Sequence, residues 1–177
     1  MNKMEQLIKS KIREIIDFPK KGINFKDITP LFEDGKAFRK VINYMAKPYL
    51  NQKIDKIVGI DARGFLLTSA LAYKLKSGIA IVRKKGKLPS KTIFDKYNSE
   101  YGSNIIEMHK DAILPNEKIL LVDDVLATGG TMKATINIVK KLKGKIIGIV
   151  FLLELKYLKG REKIKGYKIK SLAKYEK

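Results

Sequence analysis

Apolar residues recur along this chain with two periods, and the alternation between them outlines its elements. Residues 2–16 carry Leu7, Ile8, Ile12, Ile15 and Ile16 at helical spacing, which predicts an opening helix. The stretch 18–30 is interrupted by Pro19, Gly22 and Pro30 and reads as an ordered loop, with a second helix over 35–50. Short apolar runs at 56–61, 79–83, 105–108, 119–122 and 146–155 read as strands, and 65–75 and 132–142 as helices between them. Strands alternating with helices imply an α/β fold with a mainly parallel central sheet flanked by helices and right-handed crossovers. Residues 84–104 contain few aliphatic side chains and many Lys, Gly, Ser, Asn and Tyr. Within them, residues 90–101 read as a loop longer than most ordered connections, and such loops are often active-site lids. With no internal repeat, low-complexity tract or linker, one domain over 1–177 is expected.

The run 119–131 carries the sharpest chemistry. Four apolar residues lead into Asp123 and Asp124, and a loop of small residues, Ala127, Thr128, Gly129, Gly130 and Thr131, precedes a helix. A loop that follows a buried strand lies at the carboxyl edge of the sheet, where open α/β folds bind ligands. The two glycines let the backbone turn so that successive N–H groups point into one concavity. The threonines add hydroxyls, and the helix start adds partial positive charge. That arrangement suits a phosphate monoester, and the adjacent carboxylates suit the vicinal hydroxyls of a sugar, directly or through metal-bound water. A sugar phosphate is therefore the inferred ligand. The segment is neither a G-x-x-x-x-G-K-[ST] loop nor a G-x-G-x-x-G fingerprint.

A second segment repeats the theme. Gly59 and Ile60 lead to Asp61, Ala62 and Arg63, and a helix starts after Gly64, so backbone amides and Arg63 would make a second anion site on a neighbouring strand. The run 119–131 resembles the phosphoribosyl-diphosphate (PRPP) binding motif of the type I phosphoribosyltransferases, and one site for a monoester with one for a diphosphate agrees with a single molecule of PRPP. Arg83, Lys84, Lys85 and Lys87 cluster where another strand ends, a position that suits a diphosphate clamp. Displacing diphosphate from a ribose carbon passes through an electron-poor, oxocarbenium-like sugar, as glycoside hydrolysis does. Catalysis would stabilise that cation, neutralise the leaving group, exclude water, and take a ring proton from a purine acceptor. Glu100, next to the long polar segment, is a candidate for the proton role.

Composition narrows the classes. The chain has 177 residues and a formal charge of +20, yet 33 of its 38 basic residues are lysines, spread from Lys3 to Lys177. Arginine is the usual bidentate reader of phosphates and bases, so the excess reads as a lysine-rich bias and not as a nucleic-acid surface. No cysteine is present, and the single histidine, His109, has no obvious ligand partners nearby, which leaves little room for thiol, zinc or Ser–His–Asp chemistry. Without a bilayer-spanning apolar run or a signal-peptide start, a cytoplasmic protein is the expectation.

Along nearly its whole length the chain resembles the adenine phosphoribosyltransferase family, a branch of the type I phosphoribosyltransferases. The resemblance is carried by 17–30, 59–65, 82–89, Glu100-Tyr101-Gly102, 106–113, the run 119–131, and 154–163. It implies a small N-terminal hood from about residues 1–35, a mobile lid at about 84–104, a homodimer, Mg2+ bound with PRPP, and a purine salvage activity giving AMP and diphosphate from adenine and PRPP. It also implies that Ala127, Thr128, Gly129, Gly130 and Thr131 hold the 5′-phosphate, and Asp123 and Asp124 the ribose hydroxyls. Asp61, Ala62 and Arg63 would form the diphosphate loop, and Arg83, Lys84 and Lys87 would neutralise the diphosphate across the dimer interface. Ile23, Asn24, Phe25 and Lys26 would form the adenine hood with Phe25 stacked on the base, Glu100 would handle the purine proton, and Tyr101 would belong to the lid. The metal would have no direct protein ligand, being held mainly by PRPP oxygens. The partners implied are small-molecule substrates, with neither nucleic acid nor membrane. Asn24 stands where the family usually has an apolar residue, and Leu67-Thr68 where Phe-Gly is usual. Two other readings are a transferase for a different purine base and a PRPP-sensing, DNA-binding regulator.

Overall fold

In a computed structural model that describes residues 2–99 and 102–176, seven strands form one twisted sheet with helices on both faces. Helix α1 (Lys3–Ser10), the strand pair β1 (Arg13–Ile16) and β2 (Asn24–Asp27), and helices α2 (Thr29–Glu33) and α3 (Gly35–Ala46) precede the sheet. The alternating part comes next: β3 (Lys56–Ile60), α4 (Gly64–Leu75), β4 (Gly78–Lys84), β5 (Thr92–Ser99), β6 (Gly102–His109), β7 (Lys118–Leu126), α5 (Gly130–Lys141), β8 (Lys145–Leu155) and β9 (Ile169–Tyr175). The strand order is β5-β6-β4-β3-β7-β8-β9. The five strands from β4 to β9 in that order pair in parallel, and β5 and β6 add an antiparallel edge.

This order creates the crevice. From β3 the chain crosses through α4 to β4 on one side, then returns to β7 on the other side of β3 and crosses through α5 to β8. Two right-handed crossovers in opposite directions put their helices on opposite faces. The core divides accordingly. Leu120, Val122, Val150 and Leu152 pack with Leu67 and Leu71 of α4 and with α3, whereas Ile119, Leu121, Ile149 and Phe151 pack with Met132, Ile136 and Val139 of α5. The alternation is the two-residue period of a strand buried on both sides. The loops after β3 and β7 therefore diverge and leave a switch-point crevice at the carboxyl edge.

Three expectations are corrected. The helix expected over 2–16 ends at Ser10; β-branched Ile15 and Ile16 instead pair antiparallel with Phe25 and Asn24. The loop expected over 18–30 contains β2 and the start of α2. The long loop expected over 90–101 is mostly strand β5 of the hairpin β5–β6, whose inner side chains find partners on α5: Asp95 accepts from Asn137 at 2.7 Å and pairs with Lys141 at 3.2 Å. Polar side chains matched across elements leave no apolar run to read. Strand β9 has no counterpart among the expected elements. Among the described residues, no helix is long and apolar enough to cross a membrane.

Candidate active site

The loop after β7 makes its closest contacts through main chain. Gly129 adopts φ +76°, a left-handed value that favours glycine, and α5 starts at the next residue. Ala127 to Thr131, with Asp123, Val125, Met132 and Phe151, line a concavity at the start of α5. A Cβ on Gly129 would strike the carbonyl oxygen of Gly160, and one on Gly160 would strike the carbonyl oxygen of Ala127, so the loop rests directly on another stretch of main chain. Oriented N–H groups at a helix start and two threonine hydroxyls are what a phosphate monoester needs.

The acid pair lies at the foot of this loop. Asp124 is 8% exposed and meets Arg63 Nε at 2.7 Å. Asp123 accepts from the Asp124 N–H at 2.9 Å and lies against Gly64, where an added Cβ would come within 2.8 Å of its Oδ1. Burial, and then the neighbouring Asp124 charge, push the Asp123 carboxyl well above the ordinary carboxylate range. An acid held so reluctantly ionised gains from ligand hydroxyls or a cation beside it. Among the described residues no cluster of three His, Cys, Asp or Glu could hold a metal by itself. The carboxylates here offer hard oxygens that fit Mg2+ through water, with most of its shell supplied by a substrate.

The loop after β3 is braced by side chains instead. Asp61 pairs with Arg83 Nε at 3.2 Å, and Arg83 Nη1 donates to the Lys87 carbonyl at 3.1 Å. Glu107, buried on β6, accepts from the N–H groups of Gly86, Lys87 and Leu88 and from the Thr92 hydroxyl. Burial opposes its ionisation, but Thr92 and these amides outweigh that and hold its pKa below the usual value. The basic turn is thus tied to the sheet. Lys84 and Lys87 have exposed side chains beside Arg83.

The strand pair β1–β2 brings the hood residues over the same place. The Arg63 guanidinium lies 5.1 Å from the Phe25 ring centroid, and Phe18 packs edge-on against Phe25 at 5.2 Å. Asn24 and Lys26 both turn to Glu14, at 2.8 Å each, and buried Lys26 also lies over Tyr175. Strand alternation thus divides the four hood candidates: the side chains of Asn24 and Lys26 belong to the Glu14 network, and Phe25 faces Arg63. Ile23 is half-buried, its carbonyl accepting from the Phe18 N–H. Phe25, Arg63 and Asp124, from three separate segments, form one line across the crevice. Glu100 and Tyr101 lie outside the described residues, between the ends of β5 and β6.

Sequence reasoning misses two carboxylates of structural weight, Glu107 and Glu154. Each is a lone acid inside an apolar strand run, a pattern that by itself marks a buried charge needing a partner. Glu154 finds Arg161, seven residues on.

The phosphoribosyl transferase domain family matches residues 29–174. The adenine phosphoribosyltransferase of Trichlorobacter lovleyi is 52% identical over 172 residues, 97% of this chain and all of that protein. The crystal structure of adenine phosphoribosyltransferase from Thermoanaerobacter pseudethanolicus, 50% identical, superposes with a TM-score of 0.93 over 97% of this chain and 99% of that one. The Saccharomyces cerevisiae adenine phosphoribosyltransferase, in complex with an imino-altritol bisphosphate and adenine, is 36% identical, with a TM-score of 0.89 over 96% and 98% of the two chains.

Proposed function

The chain belongs to the adenine phosphoribosyltransferase family, and we propose that it transfers the 5-phosphoribosyl group of PRPP to adenine, giving AMP and diphosphate in purine salvage. The observation that carries this reading is the convergence of an anion-shaped loop, an acid pair and Arg63 beneath Phe25 at one switch-point crevice. In the reaction the C1′–N9 bond forms, the bond from C1′ to the diphosphate oxygen breaks, and the N9 proton leaves the base. Ala127 to Thr131 take the 5′-phosphate through backbone N–H groups and hydroxyls. Asp123 and Asp124 accept from the ribose hydroxyls and lie near the carbon that becomes electron-poor. Asp61, Ala62, Arg63, Arg83, Lys84 and Lys87 surround the diphosphate, Arg63 exchanging Asp124 for the more highly charged ligand.

Phe25 stacks on the base, and the backbone of Ile23 to Lys26 reads its edge. Asn24 is compatible with adenine because its side chain is engaged with Glu14. Glu100 handles the purine proton, and Tyr101 is assigned to the lid. Mg2+ held on PRPP oxygens would offset the charge of the departing diphosphate. A homodimer would let the basic turn at 83–87 serve a neighbouring site, and the cytoplasm is the place where such salvage runs.

Product formation with PRPP and Mg2+, offering adenine, hypoxanthine, guanine and xanthine in parallel, tests the reading. AMP from adenine alone is the expected result. Preference for another base would reassign the substrate, and no product from any of the four would favour a PRPP-sensing role.

A further inference from the structure

We propose that Arg161 and Glu154 are positioning residues for the phosphate loop, acting through the main chain of Gly160. This rests on the transferase reading above and assigns a task to residues that touch no substrate.

Beneath the loop, backbone meets backbone. Neither Gly129 nor Gly160 has room for a Cβ: added to Gly160, it would also lie 2.9 Å from the Gly129 nitrogen and 3.0 Å from Leu126 Cδ1. Any displacement of Gly160 is therefore passed to the main chain of Gly129, one of the residues that line the concavity. No soft side chain lies between the two to absorb it.

Gly160 is itself placed by its neighbours in the chain. It comes after Lys159, held at φ +52°, and opens a 3-10 turn, Gly160–Ile164. Arg161 in that turn grips Glu154 with two parallel hydrogen bonds, Nε to Oε1 at 2.9 Å and Nη2 to Oε2 at 2.6 Å. Its remaining bonds, both 3.3 Å, reach the Ile169 carbonyl and the Ser171 hydroxyl on β9. Glu154 is 4% exposed and stands directly beside Leu126 in the β7–β8 register. Leu126 is the last residue of β7 before the loop. One rigid ion pair thus ties the residue alongside the loop's origin to the turn beneath its apex.

A planar fork is the chemistry this needs. Lysine would keep the charge but lose the two-point geometry, so Arg161→Lys is not a conservative change here. Glu154→Gln keeps size and shape and removes the charge. Both variants leave every proposed ligand-contacting residue in place.

The test separates the two ends of PRPP. Ribose 5-phosphate and diphosphate are titrated calorimetrically against the full chain, wild type and each variant, and folding is checked by circular dichroism. Displacement of the loop by a fraction of an ångström is expected to weaken ribose 5-phosphate roughly tenfold in both variants. Diphosphate, bound on the side-chain-braced loop, should stay within about twofold, and the KM for PRPP should rise more than the KM for adenine. Unchanged ribose 5-phosphate affinity in either folded variant would overturn the proposal, as would equal losses for both ligands. Should one variant fail to fold, the other decides, and Ser171→Ala, which removes a single bond of the clamp, is expected to show a smaller loss of the same selectivity. A wild-type chain that binds neither ligand would instead fail the transferase reading, before any variant is compared.

Discussion

The two loops that frame the crevice are held in opposite ways. The loop after β7 is main chain resting on main chain, Gly129 on Gly160, and its shape is present before any ligand arrives. The loop after β3 is braced by charges, Asp61 to Arg83 and Arg63 to Asp124, which an incoming polyanion would replace. A backbone cradle costs no reorganisation when an anion binds, whereas an ion pair that must be broken makes binding contingent on something better charged. The first arrangement suits a constant feature of substrate and product, the 5′-phosphate. The second suits the group that has to leave.

The difference can be broken most severely at Gly129. Alanine there meets both an unfavourable φ and the Gly160 carbonyl; a loss of about 3 kcal/mol in denaturant unfolding and about a hundredfold in turnover is expected. Stability and activity that both survive would show that the cradle tolerates side-chain bulk.

Asp123→Asn sharpens the contrast at the seam between the loops. The Asp123 pKa is raised in the fold, so its ionisation works against folding. Stability is highest below the ordinary carboxylate pKa of about 4 and declines as pH climbs through the raised value. The amide removes that decline, so melting temperature at pH 7 should rise while PRPP affinity falls about tenfold. A melting curve that keeps the wild-type pH dependence would mean that another group titrates.

Arg83→Met removes one brace of the β3 loop. Its pair with Asp61 is partly solvated, so the stability change should stay below about 1 kcal/mol. The diphosphate-dependent part of binding should nevertheless fall roughly tenfold, seen as a higher KM for PRPP. A stability loss without a KM change would make the pair purely structural.

The smallest effect is expected at Thr68, fully buried on α4 against Gly59, its hydroxyl without a hydrogen-bond partner. Thr68→Val keeps the shape and removes an unsatisfied polar group. It should stabilise by about 1 kcal/mol in denaturant unfolding and leave turnover unchanged.

Legibility tracks how local each interaction is. The strand–acid–glycine–helix run at 119–131 appears at its expected place because every part of it lies within one turn of chain. Helix α4 and strands β3, β4 and β8 also match to within a residue or two, since each has a full apolar face or two. Strand β1 reads as helix because Ile12, Ile15 and Ile16 satisfy either period, and pairing with β2 decides between them. Residues 105–108 fall within β6 as expected, whereas β5 escapes a local reading because Asp95 is satisfied by Asn137 and Lys141, far along the chain.

By itself the amino-acid sequence determined the parallel α/β framework and the two acid-and-glycine turns at neighbouring strand ends, because apolar period, adjacent carboxylates and paired glycines act over a few residues. Only the tertiary structure decided that Arg63 stands between Phe25 and Asp124, that the hood side chains split between Glu14 and the crevice, and that Gly160 underlies Gly129. Those are contacts between segments tens of residues apart, set by strand order and by the close packing of backbones, neither of which leaves a local pattern to read.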